Sequence, residues 1–184
     1  MSLIAGNIGF IQRLFDEQRV TWAVCAGAAA HLYGNRRPIQ DIDILVAPGQ
    51  LKTIIDLLQK RQKTVQCDGQ RILWRSIKFF DNLSIRQGSY LHPFDLDEAM
   101  VAKSRRLPLL GAHVLVVAPE DVLIHKLLLR RGEEQDKHDV VDAAGIVRRQ
   151  QLDHDYLHHR IKTMQAEERA SEALALVDLT YEVV

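Results

Sequence analysis

The run Asp41-Ile42-Asp43-Ile44-Leu45-Val46 constrains the fold more than any other stretch of the chain. A β-strand has a side-chain period of two, so it sends Asp41 and Asp43 to one face and Ile42, Ile44 and Val46 to the other. The apolar face can join a core. The opposite face then holds two carboxylates a few ångströms apart, which bind protons or a cation more strongly than a lone acid. A hard divalent ion takes oxygen ligands and is commonly held by one or two carboxylates together with substrate phosphates. The strand therefore points toward phosphate chemistry. The simpler alternative is the solvent side of a half-buried strand.

The 184 residues suggest one domain, or one domain with a small appendage, and 47% hydrophobic content suffices for a core. The 24 basic and 24 acidic residues cancel, which argues against long nucleic-acid tracking or an anionic membrane surface. No apolar stretch is long enough to span a bilayer. Met1 to Gly6 lack the charged and apolar regions of a signal peptide, so a cytoplasmic location is expected. Cys25 and Cys67 read as reduced, partly buried thiols rather than a zinc or redox motif.

Periodicity predicts a helix over 7–19, capped by Asn7, with Ile8, Ile11, Leu14 and Phe15 inward. A buried strand over 21–25 breaks at Gly27 into a small-residue helix that ends at Gly34 as a C′ residue. An amphipathic helix is expected over 50–61, and strands over 64–67, 71–77, 82–86 and 112–117. Helices are expected over 95–103, 119–131, 135–149, 153–165 and 167–179. The order reads as α+β, with an α/β core over 1–118 and a helical region over 119–184.

A strand breaking at a small-residue turn into a helix lets backbone N–H groups approach a phosphate. Here Ala26 and Gly27 form that turn, Arg37 follows, and the paired carboxylates lie on the next strand. Together these parts suit a nucleoside triphosphate carrying Mg²⁺. At these residues the chain resembles the nucleotidyltransferase superfamily, the DNA-polymerase-beta-like fold. Its pattern is a hydrophobic strand, Gly-Gly or Gly-Ser, a helix, and Asp-x-Asp on the following strand. It is similar in particular to minimal nucleotidyltransferases and abortive-infection-toxin-like proteins, through Arg37-Pro38-Ile39-Gln40-Asp41-Ile42-Asp43, then Pro119-Glu120-Asp121-Val122 with Lys126, then Asp136, Asp139 and Asp142. The likeness spans roughly residues 20–147.

The resemblance implies a mixed sheet flanked by helices, and transfer of a nucleoside monophosphate from an NTP to an acceptor hydroxyl. It implies Asp41 and Asp43 as catalytic residues and ligands of Mg²⁺ or Mn²⁺. It implies phosphate contacts from Ala26, Gly27, Arg37 and Lys126. The acceptor is left open among a small molecule, a protein and RNA; a second copy or an antitoxin is a further partner class. Three departures stand out: Ala26 in place of the first glycine, Ile39 in place of threonine, and no obvious third carboxylate. The strand for that acid is expected over Asn82–Arg86, placing Ser84 or Arg86 at its position with Asp81 nearby and Asp95 as another candidate. Its loss favours an alternative: a catalytically weak nucleotide-binding or toxin–antitoxin-type regulator.

Several residues have plainer readings. Arg36 rivals Arg37, and the Lys126 stem can snorkel along apolar surface. Asp136, Asp139 and Asp142 read as a solvated helix face pairing with Lys137, Arg148 or Arg149. His154, His158 and His159 read as a polar helix face. Lys103, Arg105 and Arg106 read as a helix end, and Trp22 and Trp74 as core or interface aromatics.

Overall fold

The computed structural model describes residues 3–69 and 71–181, arranged as two compact units through which the chain passes repeatedly. The first comprises residues 1–28, 38–83 and 95–117; the second comprises 29–37, 84–94 and 118–184.

The first unit is built on a mixed seven-stranded sheet. Its strands are β1 (Trp22–Cys25), β2 (Ile42–Val46), β3 (Gln66–Cys67), β4 (Ile72–Trp74), β5 (Ile77–Phe80), β8 (Arg105–Leu109) and β9 (Ala112–Val116), in the order β3-β4-β5-β2-β1-β9-β8. β1 runs antiparallel to β2 and parallel to β9, while β2 runs parallel to β5. Central strands are covered on both faces and carry continuous apolar runs. Accordingly Ala23, Val24, Cys25, Ile42, Ile44, Leu45 and Val46 are all fully buried. Helices α1 (Leu3–Gln18), α3 (Leu51–Lys60) and α4 (Glu98–Lys103) complete the unit. Ile8, Ile11 and Phe15 of α1 are wholly buried, and the Phe15 ring packs 5.7 Å from both Trp22 and Phe79. Trp22 and Trp74 are core aromatics, as expected.

Local details differ from the sequence reading. Helix α1 begins at Leu3, so Asn7 lies within it; its Oδ1 accepts a hydrogen bond from Arg75 at 2.7 Å rather than capping the helix. The expected strand over 71–77 is a hairpin, with Arg75 at φ +56° turning β4 into β5. Arg105 and Arg106 begin an edge strand, not a helix end. Leu110 and Gly111, both at positive φ, turn it into β9, as a two-residue type I′ loop requires. Cys67 is exposed on β3, whereas Cys25 is fully buried.

The second unit is helical. Helix α2 (Ala26–Tyr33) enters it at Ala29; α5 (Pro119–Leu129), α6 (Asp139–Arg149), α7 (His154–Thr163) and α8 (Glu167–Ala175) follow, with a 3₁₀ turn at Glu133–Gln135. A hairpin of β6 (Ser84–Gln87) and β7 (Tyr90–Pro93) belongs to the same unit. Every residue of α5 from Pro119 to Leu128 is buried, which makes it the central element. Its first-turn carboxylates are matched from neighbours. Glu120 accepts from Asp153 N–H at 2.7 Å, and Asp121 accepts from Tyr156 OH at 2.9 Å and ion-pairs with Arg160 at 2.7 Å. Among the described residues no helix is long and apolar enough to cross a membrane.

Candidate functional site

In the first unit the β1–β2 register pairs Cys25 with Asp43 and Val24 with Ile44. The strands are antiparallel, so the end of β1 and the start of β2 share one end of the sheet. The Ala26–Gly27 turn therefore lies beside Asp41 and Asp43. Ala26 sits at φ +50°, in the left-handed region where glycine is the default residue. This is why its alanine stands out against a Gly-Gly pattern. Gly27 is exposed in the first turn of α2, and a Cβ added there would meet nothing within 4 Å. The fold around it therefore does not demand glycine. The first N–H groups of a helix lack intrahelical partners, so this turn presents open donors.

The neighbour of β2 on its other side is β5, not the segment 82–86 anticipated from sequence. Residues 84–87 belong to the small hairpin of the second unit, and the strand parallel to β2 pairs Asp43 with Lys78. Residues in register share a face, so a lysine, Lys78, and not a third carboxylate lies beside Asp43 on this strand. Its Nζ donates a hydrogen bond to Asp41 Oδ2 and lies 3.9 Å from Asp43 Oδ1. Burial alone would lower the pKa of this ammonium. The Asp41 hydrogen bond and the charges of Asp43 and Asp41 outweigh it and hold the value above that of an ordinary lysine. The side chains of Lys78, Asp41 and Asp43 are 29%, 45% and 21% exposed, so the cluster is open to solvent.

The other acids suggested for this role serve backbone. Asp81 Oδ2 accepts from Leu51 N–H at the start of α3, and Asp95 Oδ1 accepts from Leu83 N–H at 3.1 Å. Among the described residues no group of three or more His, Cys, Asp and Glu side chains is placed to hold a metal ion.

Arg37 and Lys126 meet within the second unit. Arg37 Nη2 donates to both carboxylate oxygens of Asp142, at 2.6 and 2.5 Å, and its carbonyl lies 2.6 Å from His31 Nδ1. Lys126 Nζ lies 2.7 Å from Asp139 and 3.1 Å from Asp142. Arg131 donates to Asp139 through Nε at 2.8 Å and through its backbone N–H at 3.0 Å. Asp139 and Asp142 are buried, contrary to the solvated face expected of them; only Asp136 is exposed. Three residues apart on α6, they point inward together onto Lys126, and each buried carboxylate finds two cations. Burial favours a higher pKa for Asp139, but the Arg131 hydrogen bonds and the Lys126 charge prevail and hold it below the ordinary carboxylate value. Arg36, the rival of Arg37, is exposed.

A mixed sheet flanked by helices, with a strand–turn–helix junction leading to Asp-x-Asp on the adjacent antiparallel strand, defines a nucleotidyltransferase fold. Over residues 3–182 the sequence matches the family described as uncharacterised nucleotidyltransferase, and the chain belongs to that family. Among solved structures it is similar to the antibiotic-resistance factor ANT(2″)-Ia, with a TM-score of 0.59, 12% identity, and coverage of 93% of this chain and 96% of that one. It is also similar to the lincosamide antibiotic adenylyltransferase LnuA, at TM-score 0.50 and 13% identity over 80% and 97% of the two chains. A third neighbour is an antigenic nucleotidyltransferase-like protein from Paracoccidioides brasiliensis, at TM-score 0.51 and 15% identity over 97% and 94%. No curated protein matches the sequence.

Proposed function

We propose that the chain binds a nucleoside triphosphate with a divalent cation, Mg²⁺ or Mn²⁺, and transfers a nucleoside monophosphate to an acceptor hydroxyl, releasing pyrophosphate. The observation that carries this reading is the β1–β2 register, which brings the open Ala26–Gly27 turn and two partly exposed carboxylates to one end of one strand pair. Two such carboxylates are the donors a hard cation takes, so Asp41 and Asp43 fit the ion and would hold it. When bound, the cation supplies charge neutralisation and polarisation of the phosphates. The chain contributes backbone donors at Ala26 and Gly27, and the absent side chain of Gly27 leaves room for a phosphate oxygen. Arg37 and Lys126 stand outside this proposal, because their own unit already holds both on Asp142. The antibiotic substrates named for ANT(2″)-Ia and LnuA make a small hydroxylated molecule one acceptor class to test, alongside protein and RNA.

A thermal-shift titration with ATP, GTP, CTP and UTP, each with and without Mg²⁺, tests the binding step, because a ligand of the native state raises its stability. At least one NTP is expected to give a Mg²⁺-dependent shift that is lost in an Asp41→Asn, Asp43→Asn double variant. It should also shrink in Gly27→Ala, whose ligand-free stability is unimpaired because the added methyl meets open space. No shift with any NTP, or an equal shift in the double variant, refutes the reading.

Lys78 favours a second reading. In the resembled family a third carboxylate acts as general base toward the acceptor or completes the metal shell, and an ammonium has no lone pair with which to do either. A chain that binds nucleotide yet transfers poorly would act as a binding or regulatory protein. Labelled NTP incubated with candidate acceptors separates the two: a nucleotide-dependent thermal shift without label transfer supports the binder.

A further inference from the structure

We propose that Lys78 is a tethered counter-cation that keeps divalent ions off the Asp41–Asp43 pair in the ligand-free protein, so that the cation enters only with a triphosphate. The inference rests on the reading of that pair as an NTP–metal site, and assigns the order in which the site fills. Three observations support it. The β2–β5 register places Lys78 on the face of Asp43. Its ammonium bonds Asp41 and lies 3.9 Å from Asp43, on the oxygens a metal would use. Among the described residues no third His, Cys, Asp or Glu joins them to offset the added charge.

The electrostatics set the size of the effect. Two carboxylates and one ammonium leave a net charge of −1 where three carboxylates would give −3. A divalent charge about 4 Å from an ammonium is disfavoured by about thirtyfold even at the dielectric constant of water. Salt reduces this and partial burial increases it. A triphosphate changes the balance, because it brings several negative oxygens with the metal. The flexible four-carbon stem of lysine lets the ammonium leave the pair for one of them.

The test is direct Mn²⁺ binding, read from loss of the free-ion paramagnetic resonance signal, and needs no turnover. Wild type is compared with Lys78→Met and Lys78→Gln, with near-UV circular dichroism confirming that each is folded; the two substitutions differ in polarity, so one folded variant suffices. Both are expected to bind Mn²⁺ at least about tenfold more tightly than wild type without nucleotide. The gain should vanish when Asp41→Asn and Asp43→Asn are added. A non-hydrolysable ATP analogue, read against the same analogue without protein because it chelates Mn²⁺ itself, should raise protein-dependent Mn²⁺ binding in wild type far more than in Lys78→Met. The inference is overturned if nucleotide-free wild type binds Mn²⁺ as tightly as the variants, or if the gain survives loss of both carboxylates. Failure of the NTP reading shows separately, as absence of any nucleotide effect beyond that of the protein-free analogue in wild type and variants alike, and leaves the nucleotide-free comparison intact.

Discussion

Replacing Asp139 by asparagine keeps its volume and removes one charge from the buried network of the second unit. In the folded protein the carboxylate accepts from Lys126 Nζ at 2.7 Å, Arg131 Nε at 2.8 Å and Arg131 N–H at 3.0 Å, with no exposed surface. All of these partners are donors. An asparagine can offer them one oxygen, and its amide nitrogen must then face another donor. Removing one partner of a buried pair leaves uncompensated charge and costs about 3–5 kcal/mol. The loss should depend on pH in a definite direction. Because the folded pKa of Asp139 lies below its ordinary value, the carboxylate stabilises the fold above the unfolded value of about 4. That contribution is lost as pH falls through the folded value. The gap between wild type and Asp139→Asn should therefore be constant near neutrality and close progressively below about pH 4. Urea denaturation at a series of pH values measures it. Far-UV circular dichroism is the suitable probe, because the unit is helical while both tryptophans, Trp22 and Trp74, belong to the sheet unit. A loss under about 1 kcal/mol at pH 7 would refute the assignment of Asp139 as a buried structural anchor. So would a gap that stays open in acid.

Two further outcomes follow from the same unit. Burial, with the nearby Lys126 and Arg131 charges opposing Asp139, pushes the pKa of His125 down to about 3, while its ring stacks 4.7 Å from Phe94. Stability should fall by up to about 1.4 kcal/mol per pH unit through this residue as pH drops from about 6.5 toward 3, and His125→Phe, which keeps the stack, should flatten that slope in urea melts. A Cβ on Gly34 would lie 3.0 Å from Ile146 N and 3.1 Å from Gly145 C, both backbone atoms of α6; Gly34→Ala should cost about 1–3 kcal/mol in the same assay.

The strand of paired aspartates, the small-residue turn before it and the helix at Pro119 were legible because each is a local pattern. Periodicity, a proline at N1 and an apolar run act within a few residues. Lys78 was not legible, for a reason that can be traced. Its place depends on the register of β5 against β2, and β5 exists as a separate strand only because Arg75 adopts a left-handed conformation. Glycine or asparagine marks such turns in sequence; arginine does not. Without that turn the third position falls on the next segment, which is how residues 82–86 came to be expected there. The fate of Asp139 and Asp142 was hidden for a related reason. Their three-residue spacing fits a solvated face as well as a buried one, and only the packing of α6 onto Lys126 decides. The role of Gly34 also changes. Its φ is not positive, so close approach of backbone rather than a left-handed cap explains the glycine.

Exposure separates the two charge clusters in a way composition does not. Each contains two aspartates and at least one lysine. Asp139 and Asp142 are sealed from solvent, each with two cations, so any change of occupancy there must first break several buried bonds at the energies worked above. Asp41, Asp43 and Lys78 have comparable partners but remain open to water, where an ion pair contributes little and its members exchange partners readily. A site that must take in a charged ligand needs the second property, because the ligand has to replace an existing pairing at small cost. By that criterion the Asp41–Asp43–Lys78 cluster, rather than the Asp139–Asp142 one, suits exchange of charged partners, and Lys78 is the partner a ligand would replace. In the proposed site Lys78 neutralises the pair enough for it to wait for a nucleotide. With an acid in its place the adjoining β2 and β5 segments would together present three carboxylates, which the proposal expects to take up divalent ions with no nucleotide present.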